Sequence, residues 1–295
     1  MRRPLLLLAV LVLTATGLVA PTAATTAPRA PAVATSPAPP LRYVALGDSY
    51  SAASGVLPPD PAAPLVCLRS ARSYPHVLAA RTGARFTDVT CGAAETGDFF
   101  ESQHPGVPPQ LDALSRRTDL VTMTIGGNDS GVFIGAILAC GVAGVSSLGR
   151  GNPCEQQHGD SFEQTVRDTT YPSLVRALRA VHRRAPSARV AILGYPWIVP
   201  RRDGCFAQMP IARGDVPYLR SLQRTLNDAV RRAARATGST YVDLNRASDG
   251  HDACQPIGTR WVEPILLGTN PVVVHPNARG ERAMARQVVR RLRLR

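Results

Sequence analysis

The amino-acid sequence predicts an α/β protein with three α/β/α layers, in which helices cover both faces of a central parallel sheet of about five strands. Two observations favour this class. Short apolar segments predict strands, and between them lie longer segments whose apolar residues recur at helical spacing. Strands joined through helices run parallel, and parallel sheets are buried on both faces. A chain of 295 residues fits one large domain of this kind.

The predicted strands are short and apolar, and turn-forming residues follow them. In chain order they are residues 42–46, 85–90, 120–125, 189–193 and 240–244. The predicted helices are residues 74–82, 109–117, 162–184 with an interruption near Pro172, 218–237 and 277–294. Four long insertions, at residues 55–70, 140–160, 201–216 and 246–270, are rich in Gly and Pro. Loops of such length are often functional, so we expect them to form the walls of a site.

The first forty residues differ in composition from the rest of the chain. Arg2 and Arg3 precede an apolar run at residues 5–13, which is too short to span a membrane comfortably and is typical of a secretion signal. The Ala/Thr/Pro-rich segment at residues 21–40 cannot pack a core. Residues 1–40 are therefore interpreted as a signal peptide and leader, residues 41–295 as the folded domain, and the protein is expected to be secreted.

Six cysteines are spread over the predicted domain, and five of them lie in the four long insertions. Their spacing fits no zinc site, whereas an even number in an exported chain is typical of disulfides. Six cysteines allow fifteen pairings. Pairing in chain order would close three irregular loops and is the arrangement that we predict: Cys67–Cys91, Cys140–Cys154 and Cys205–Cys254.

The chain is strongly basic, with a formal net charge of +13, and it contains no lysine. Arginine pairs well with phosphate, which raises the alternative of a nucleic-acid-binding protein. The arginines are spread over many predicted helices, however, and no aromatic-rich binding motif accompanies them. We therefore expect no binding of nucleic acid and, at most, a weak attraction to anionic surfaces. The protein is also expected to be a monomer.

Four turns with polar or glycine residues lie where the carboxyl ends of the parallel strands should meet. In chain order they carry Ser49, Gly92, Asn128 and His275. Each turn alone has an ordinary structural interpretation, because Gly-Asp-Ser and Gly-Gly-Asn-Asp are common turns and a single histidine is most often a surface residue. Together, a hydroxyl, a glycine amide, a carboxamide and an imidazole at one edge of a sheet are the components of acyl transfer.

These turns resemble the sequence blocks of the GDSL, or SGNH, hydrolases. The resemblance rests on GDSY at residues 47–50, Gly92, GGND at residues 126–129 and HP at residues 275–276, and it extends from residue 43 to about residue 290. Tyr50-Ser51 and the cysteine-bearing insertions resemble the secreted actinobacterial lipase and esterase branch. The resemblance implies the flavodoxin-like SGNH hydrolase fold and a serine hydrolase that needs no metal or cofactor.

The resemblance also implies a role for each residue. Ser49 would be the nucleophile and His275 the base, while the N–H groups of Ser49 and Gly92 and the side chain of Asn128 would form the oxyanion hole. Asp48 and Asp129 are expected to fix their own turns by accepting backbone hydrogen bonds.

The sequence departs from the family at the residue that orients the histidine. Most members have an aspartate three residues before it, where this chain has Val272, and the nearest upstream acid is Glu263. We predict a Ser49–His275 dyad in which a main-chain carbonyl among residues 270–273 accepts the histidine N–H.

The expected substrate is a small-molecule or lipid ester. Apolar loops at residues 132–138 and 265–267 are candidate borders of an acyl groove, and Trp197 and Trp261 either line it or cap the core. The alternatives are a carbohydrate acetyl esterase and a non-catalytic surface-binding protein. The other histidines lack a motif and are interpreted as structural or exposed: His76, His104, His158, His182 and His251.

Overall fold

A sheet of five parallel strands forms the centre of the computed structural model, which describes residue 17 and residues 39–294. The strands are β1 (Arg42–Ala45), β2 (Arg85–Asp88), β3 (Leu120–Met123), β4 (Arg189–Leu193) and β5 (Thr240–Val242). Their order across the sheet is β2-β1-β3-β4-β5, and every neighbouring pair is parallel. All five predicted strands are confirmed. The direction in which successive strands are added reverses after β2, so the connections that follow β1 and β3 lead to opposite faces of the sheet. Ligands of open parallel sheets bind at the carboxyl ends of such neighbouring strands.

Helices fill the connections between the strands. They are α1 (Ser49–Ala52), α2 (Tyr74–Thr82), α3 (Val132–Ser146), α4 (Pro153–His158), α5 (Ser161–Thr165), α6 (Tyr171–Arg184), α7 (Asp215–Thr237), α8 (Asn245–Ser248) and α9 (Ala278–Leu292). A π-helical turn, Val166–Thr170, joins α5 to α6 directly before Pro172. Proline cannot donate the helical hydrogen bond, so the predicted interruption of this long helix has the cause that the sequence suggests.

Apolar clusters on both faces of the sheet confirm the three-layer architecture. On one face, strand residues such as Val121 and Ile192 pack with apolar residues from α3, α6 and α7. On the other face, Ala45 and Leu193 pack with α2 and α9, for example through Met284. Both faces are covered, as an all-parallel sheet requires.

Two of the predicted connections are wrong in detail. Residues 132–138, expected to be a loop, form the first half of α3. Glycine lowers helix propensity, and α3 contains three glycines; Gly144 is there because a Cβ would lie 2.2 Å from the Pro210 carbonyl oxygen. Residues 109–117, expected to be helical, form one short turn, Gln110–Ala113. That turn directs the Gln110 side chain against the backbone of Gly47, with which it makes two hydrogen bonds.

The three disulfides form in the predicted order, Cys67–Cys91, Cys140–Cys154 and Cys205–Cys254. The first joins the insertion after α1 to the turn after β2, and the second joins α3 to α4. The third joins two of the long insertions, residues 201–216 and 246–270, to each other. Apart from Gly17, Pro39 and Pro40, the predicted signal peptide and leader lie outside the described residues.

Candidate active site

Ser49 lies on a sharp turn between β1 and the short helix α1. Gly47 opens the turn with φ = +123°, and a Cβ there would lie 2.3 Å from the Thr124 carbonyl oxygen, so only glycine fits. Asp48 caps α1 by accepting the N–H of Tyr50 at 3.0 Å, as predicted for this residue. The chain therefore turns immediately after the strand, and Ser49 is the first residue of the helix.

The histidine that faces Ser49 comes from the loop before α9. His275 Nε2 lies 2.7 Å from Ser49 Oγ, and His275 Nδ1 lies 2.6 Å from the Val273 carbonyl oxygen. A carbonyl can only accept, so Nδ1 carries the proton and Nε2 is free to accept the serine hydroxyl. The expected main-chain partner among residues 270–273 is thus Val273.

Glu263, the nearest upstream acid, does not contact the histidine ring. Its carboxylate accepts hydrogen bonds from Arg260 at 2.6 Å, the Thr269 N–H at 2.7 Å and the Asn277 side chain at 2.7 Å. Its own N–H donates to the His275 carbonyl at 2.9 Å. Glu263 therefore holds the loop that carries His275, and it orients the loop rather than the ring.

Burial affects both ionisable groups beside the serine. Burial lowers the pKa of His275 below its ordinary value, and the hydrogen bond to Val273 offsets this in part. Burial also raises the pKa of Asp48 to about 6, although hydrogen bonds from Thr124, Tyr195 and backbone N–H groups favour its ionised form. The histidine is consequently neutral around pH 7, as a base must be to accept a proton.

Two tyrosines to which the sequence analysis assigned no role position these groups. The Tyr195 hydroxyl donates to Asp48 Oδ2 at 2.5 Å and accepts the Gly127 N–H at 2.9 Å, so it joins the turns after β1 and β3. The Tyr50 hydroxyl donates to the Val274 carbonyl at 2.5 Å, next to His275. The sequence showed Tyr50 only as part of GDSY, and the one signal for Tyr195 is an aromatic residue that follows β4 at the same edge of the sheet.

Asn128 and Asp129 follow β3, as predicted. One N–H of the Asn128 side chain donates to the Ala94 carbonyl at 3.0 Å, which leaves the second N–H for another acceptor. Asp129 accepts the N–H and the hydroxyl of Thr96, so it holds the turn after β2 instead of its own turn.

Gly92 differs from the expectation for an oxyanion donor. Its N–H donates to the Cys67 carbonyl at 2.8 Å, and a Cβ on Gly92 would lie 3.2 Å from Ser54 Oγ. A side chain at position 92 would thus be tightly packed against its neighbours, and the Gly92 N–H already has an acceptor. The next residue, Ala93, is exposed, has φ = +62°, and its N–H donates to no group among residues 39–294.

The peptide bond between Gly92 and Ala93 is held in one orientation. Gln103 donates to the Gly92 carbonyl oxygen at 2.7 Å. In a trans peptide the N–H points away from the carbonyl, so the Ala93 N–H points away from Gln103. Ala93 lines the same cavity as Ser49 and Asn128.

That cavity has a volume of about 390 Å³ and is mainly apolar. Besides Ser49, Asn128 and His275, its apolar walls are formed by Val66, Leu68, Phe133, Ile134, Ile137, Ile198, Val272 and Val274. The predicted border at residues 132–138 contributes to the wall as part of a helix. Residues 265–267 are not part of the lining, whereas His104, interpreted as structural or exposed, is.

Neither tryptophan lines the cavity. The Trp197 indole N–H donates to the Asn245 carbonyl, and the Arg220 guanidinium lies 3.6 Å from the centre of a Trp197 ring. Trp261 stacks on His251 with ring centres 4.4 Å apart. Both therefore have the structural role that the sequence left open as the alternative.

Comparisons with known proteins identify the relatives of this chain. The model of the GDSL-like Lipase/Acylhydrolase family matches residues 45–283. Lipase 2 of Streptomyces coelicolor is 63% identical over 262 residues, which are 88% of each chain. The crystal structure of phospholipase A1 from Streptomyces albidoflavus has a TM-score of 0.72 and 28% identity, and the match covers 86% of this chain and 100% of that one. An extracellular lipase from Streptomyces rimosus has a TM-score of 0.72 and 29% identity over 85% and 99% of the two chains.

The environment of His275 predicts an unusual titration. Burial disfavours the imidazolium more than the Val273 carbonyl stabilises it, so the His275 ring should gain its second proton at a pH below 6.5, the ordinary value. Ring-proton NMR across pH 4–9 measures this midpoint, and the signal missing from His275→Gln identifies the residue. A midpoint at or above 6.5 would contradict the buried, neutral ring that the geometry indicates.

Proposed function

The chain belongs to the GDSL-like lipase/acylhydrolase family and is a hydrolase of carboxylic esters, and from this premise we propose that Ser49 and His275 carry its reaction as a dyad. The observation that carries the proposal is the 2.7 Å contact between Ser49 Oγ and His275 Nε2 beside an apolar cavity. The Val273 carbonyl takes the place of the acidic residue of a triad and fixes the tautomer of the ring.

The reaction follows from this arrangement. Ser49 Oγ attacks the ester carbonyl carbon while His275 Nε2 takes the hydroxyl proton, and a tetrahedral oxyanion forms. His275 then gives this proton to the departing alcohol, which leaves an acyl group on Ser49. Water gives a proton to the same nitrogen and attacks the acyl-enzyme. His275 then returns that proton to Ser49 Oγ as the acyl–oxygen bond breaks, which releases the carboxylic acid and restores the serine hydroxyl. The Val273 carbonyl accepts a stronger hydrogen bond while the ring is positively charged.

For the oxyanion we propose three donors, the N–H of Ser49, the free N–H of the Asn128 side chain and the N–H of Ala93. The Ser49 N–H, like that of Ala93, donates to no other group in the described range 39–294. Ala93 replaces Gly92 in this proposal because the Gly92 N–H is held by Cys67. Donors that are already fixed before the charge develops contribute most to the rate.

The substrate proposed for this cavity is an ester with an apolar acyl chain, of a lipid or of a smaller molecule. Its walls offer aliphatic side chains from four segments, whereas an acetyl group would leave most of the volume empty. We also propose that the chain is exported. Three disulfides, the signal-like start of the sequence and the similarity to an extracellular lipase support this.

Ser49→Ala should abolish both ester hydrolysis and labelling by a fluorophosphonate probe, with a loss of about 10⁴-fold or more in kcat. Ser146→Ala, which changes an exposed serine on α3, is the matched control and should behave as the wild type. Labelling of Ser49→Ala by the probe would refute Ser49 as the nucleophile.

Nitrophenyl esters from acetate to decanoate, assayed beside acetylated xylan, should show a preference for chains longer than acetyl. A sharp acetyl preference would instead support the carbohydrate acetyl esterase.

Asn128→Ala should lower kcat about a hundredfold with little change in KM, because an oxyanion donor acts mainly in the transition state. A crystal structure with a phosphonate on Ser49 identifies the remaining donors. Its phosphonyl oxygen should lie about 3 Å from the backbone nitrogens of Ser49 and Ala93. Contact with the Gly92 nitrogen, and rupture of its bond to Cys67, would show that the assignment to Ala93 is wrong.

Glu263→Gln separates a dyad from a triad. Removing the charge leaves Arg260 buried without its partner, so the variant should lose about 3–5 kcal/mol of unfolding free energy. Turnover by the folded variant should stay within about tenfold of the wild type, since Glu263 does not contact the ring. His275→Ala is the reference for loss of the base. Turnover as low as that of His275→Ala, in folded Glu263→Gln, would overturn the dyad.

A further inference from the structure

Helix α3 has one face in the core and an opposite face without charged groups. Val132, Ala136, Ile137, Cys140 and Gly144 are buried. Ile134, Leu138 and Val142 recur every four residues along the other face and are 40%, 62% and 69% exposed. Residues 130–149 include no charged side chain. Within the part of the chain that the structure describes, Asp129–Ser146 is the one helical segment apolar enough, by length and composition, to cross a membrane.

This helix is nevertheless part of the folded domain. The Cys140–Cys154 disulfide links it to α4, and its buried face belongs to the main apolar cluster. It therefore lies along the surface of the protein. Other surface helices, such as α6, carry arginines on their outer face. A contiguous exposed apolar strip on a protein surface marks an interaction site.

The apolar strip is continuous with the active-site cavity. Ile134 belongs both to the strip and to the cavity wall. Val66 and Leu68, which also line the cavity, are 48% and 52% exposed, and Leu65 beside them is 86% exposed. Residues 61–68 carry no charge and are tied to the turn after β2 by Cys67–Cys91. We call these six residues the apolar rim: Leu65, Val66, Leu68, Ile134, Leu138 and Val142.

We propose that the apolar rim docks the enzyme on the surface of aggregated lipid, a bilayer or a droplet, so that an acyl chain enters the cavity without crossing water. The inference rests on the proposed function. Lipid is the proposed partner of this surface because Val66, Leu68 and Ile134 belong both to the exposed apolar rim and to the wall of the acyl cavity. An uncharged helix face lying in the plane of an interface buries its apolar side chains among the lipid head groups and acyl chains.

The test measures binding and catalysis separately on the full-length secreted protein. Vesicles of a diether phosphatidylcholine offer an uncharged lipid surface with no ester to cleave, and nitrophenyl butyrate below its solubility limit reports catalysis in solution. The test variant is Leu138→Gln/Val142→Gln. The matched control is Ile257→Gln/Leu267→Gln, two exposed apolar residues, 71% and 74%, outside the apolar rim. Neither pair lines the active-site cavity.

The wild type and the control should bind the vesicles, and 1 M NaCl should not release them, because the attraction is apolar. The rim variant should bind about tenfold or more weakly and keep its hydrolysis of soluble butyrate within about twofold. Leu65→Gln, on the other segment of the apolar rim, should also weaken binding, and it serves as the second variant if the first fails to fold.

Several outcomes would overturn the inference. The first is a wild type that hydrolyses soluble butyrate but does not bind the vesicles. The second is release of the bound protein by salt, which would assign binding to the arginines. The third is a rim variant that binds the vesicles as strongly as the wild type. A wild-type dimer that dissociates on the rim substitutions would show that a second copy covers this surface. Absence of butyrate hydrolysis by the wild type would instead refute the proposed function, so the two failures are distinguishable.

Discussion

The rest of the site depends on the hydrogen bonds that the buried carboxylate of Asp48 accepts. It accepts hydrogen bonds from the Tyr50 N–H after β1, the Thr124 hydroxyl after β3 and the Tyr195 hydroxyl after β4. Burial raises the pKa of this carboxyl to about 6, although the hydrogen bonds favour its ionised form. The three elements that provide the donors are held together by these bonds. The carboxylate thus links the turn that carries Ser49 to the turns after β3 and β4.

The proposed base, His275, is positioned by its loop, which compensates for the absence of an acid beside it. The Glu263 N–H binds the His275 carbonyl, the Tyr50 hydroxyl binds the Val274 carbonyl, and Asn277 joins the Glu263 carboxylate to the start of α9. Val274 has φ = +53°, an uncommon value for a β-branched residue, which these contacts maintain. With the backbone fixed on both sides of the histidine, a neutral carbonyl suffices to select the tautomer. An aspartate at position 272 would add charge to a wall that is otherwise apolar.

The strands and the four polar turns could be predicted because both depend on local pattern and on one topological rule, that the carboxyl ends of parallel strands share an edge. The features that the sequence did not reveal depend on contacts between distant residues. Helix α3 contains three glycines, which lower helix propensity, and the close contact of one of them, Gly144, with Pro210 is visible only in the fold. The Gly92 N–H is occupied by the carbonyl of Cys67, which lies in the insertion after α1. The position of the Tyr195 hydroxyl between Asp48 and Gly127 likewise depends on the folded arrangement.

The disulfides and the apolar surface have a common physical explanation. Exposed leucines and valines around an apolar cavity would gain free energy by folding into it, at roughly 25 cal/mol for each Å² removed from water. Cys67–Cys91 and Cys140–Cys154 fix the two segments that carry these side chains, one to the turn after β2 and the other to α4. The hydrogen bond from Gly92 to Cys67 adds a second link between the first segment and the turn after β2. The covalent links thus hold both segments in place beside the cavity, and their apolar side chains remain exposed.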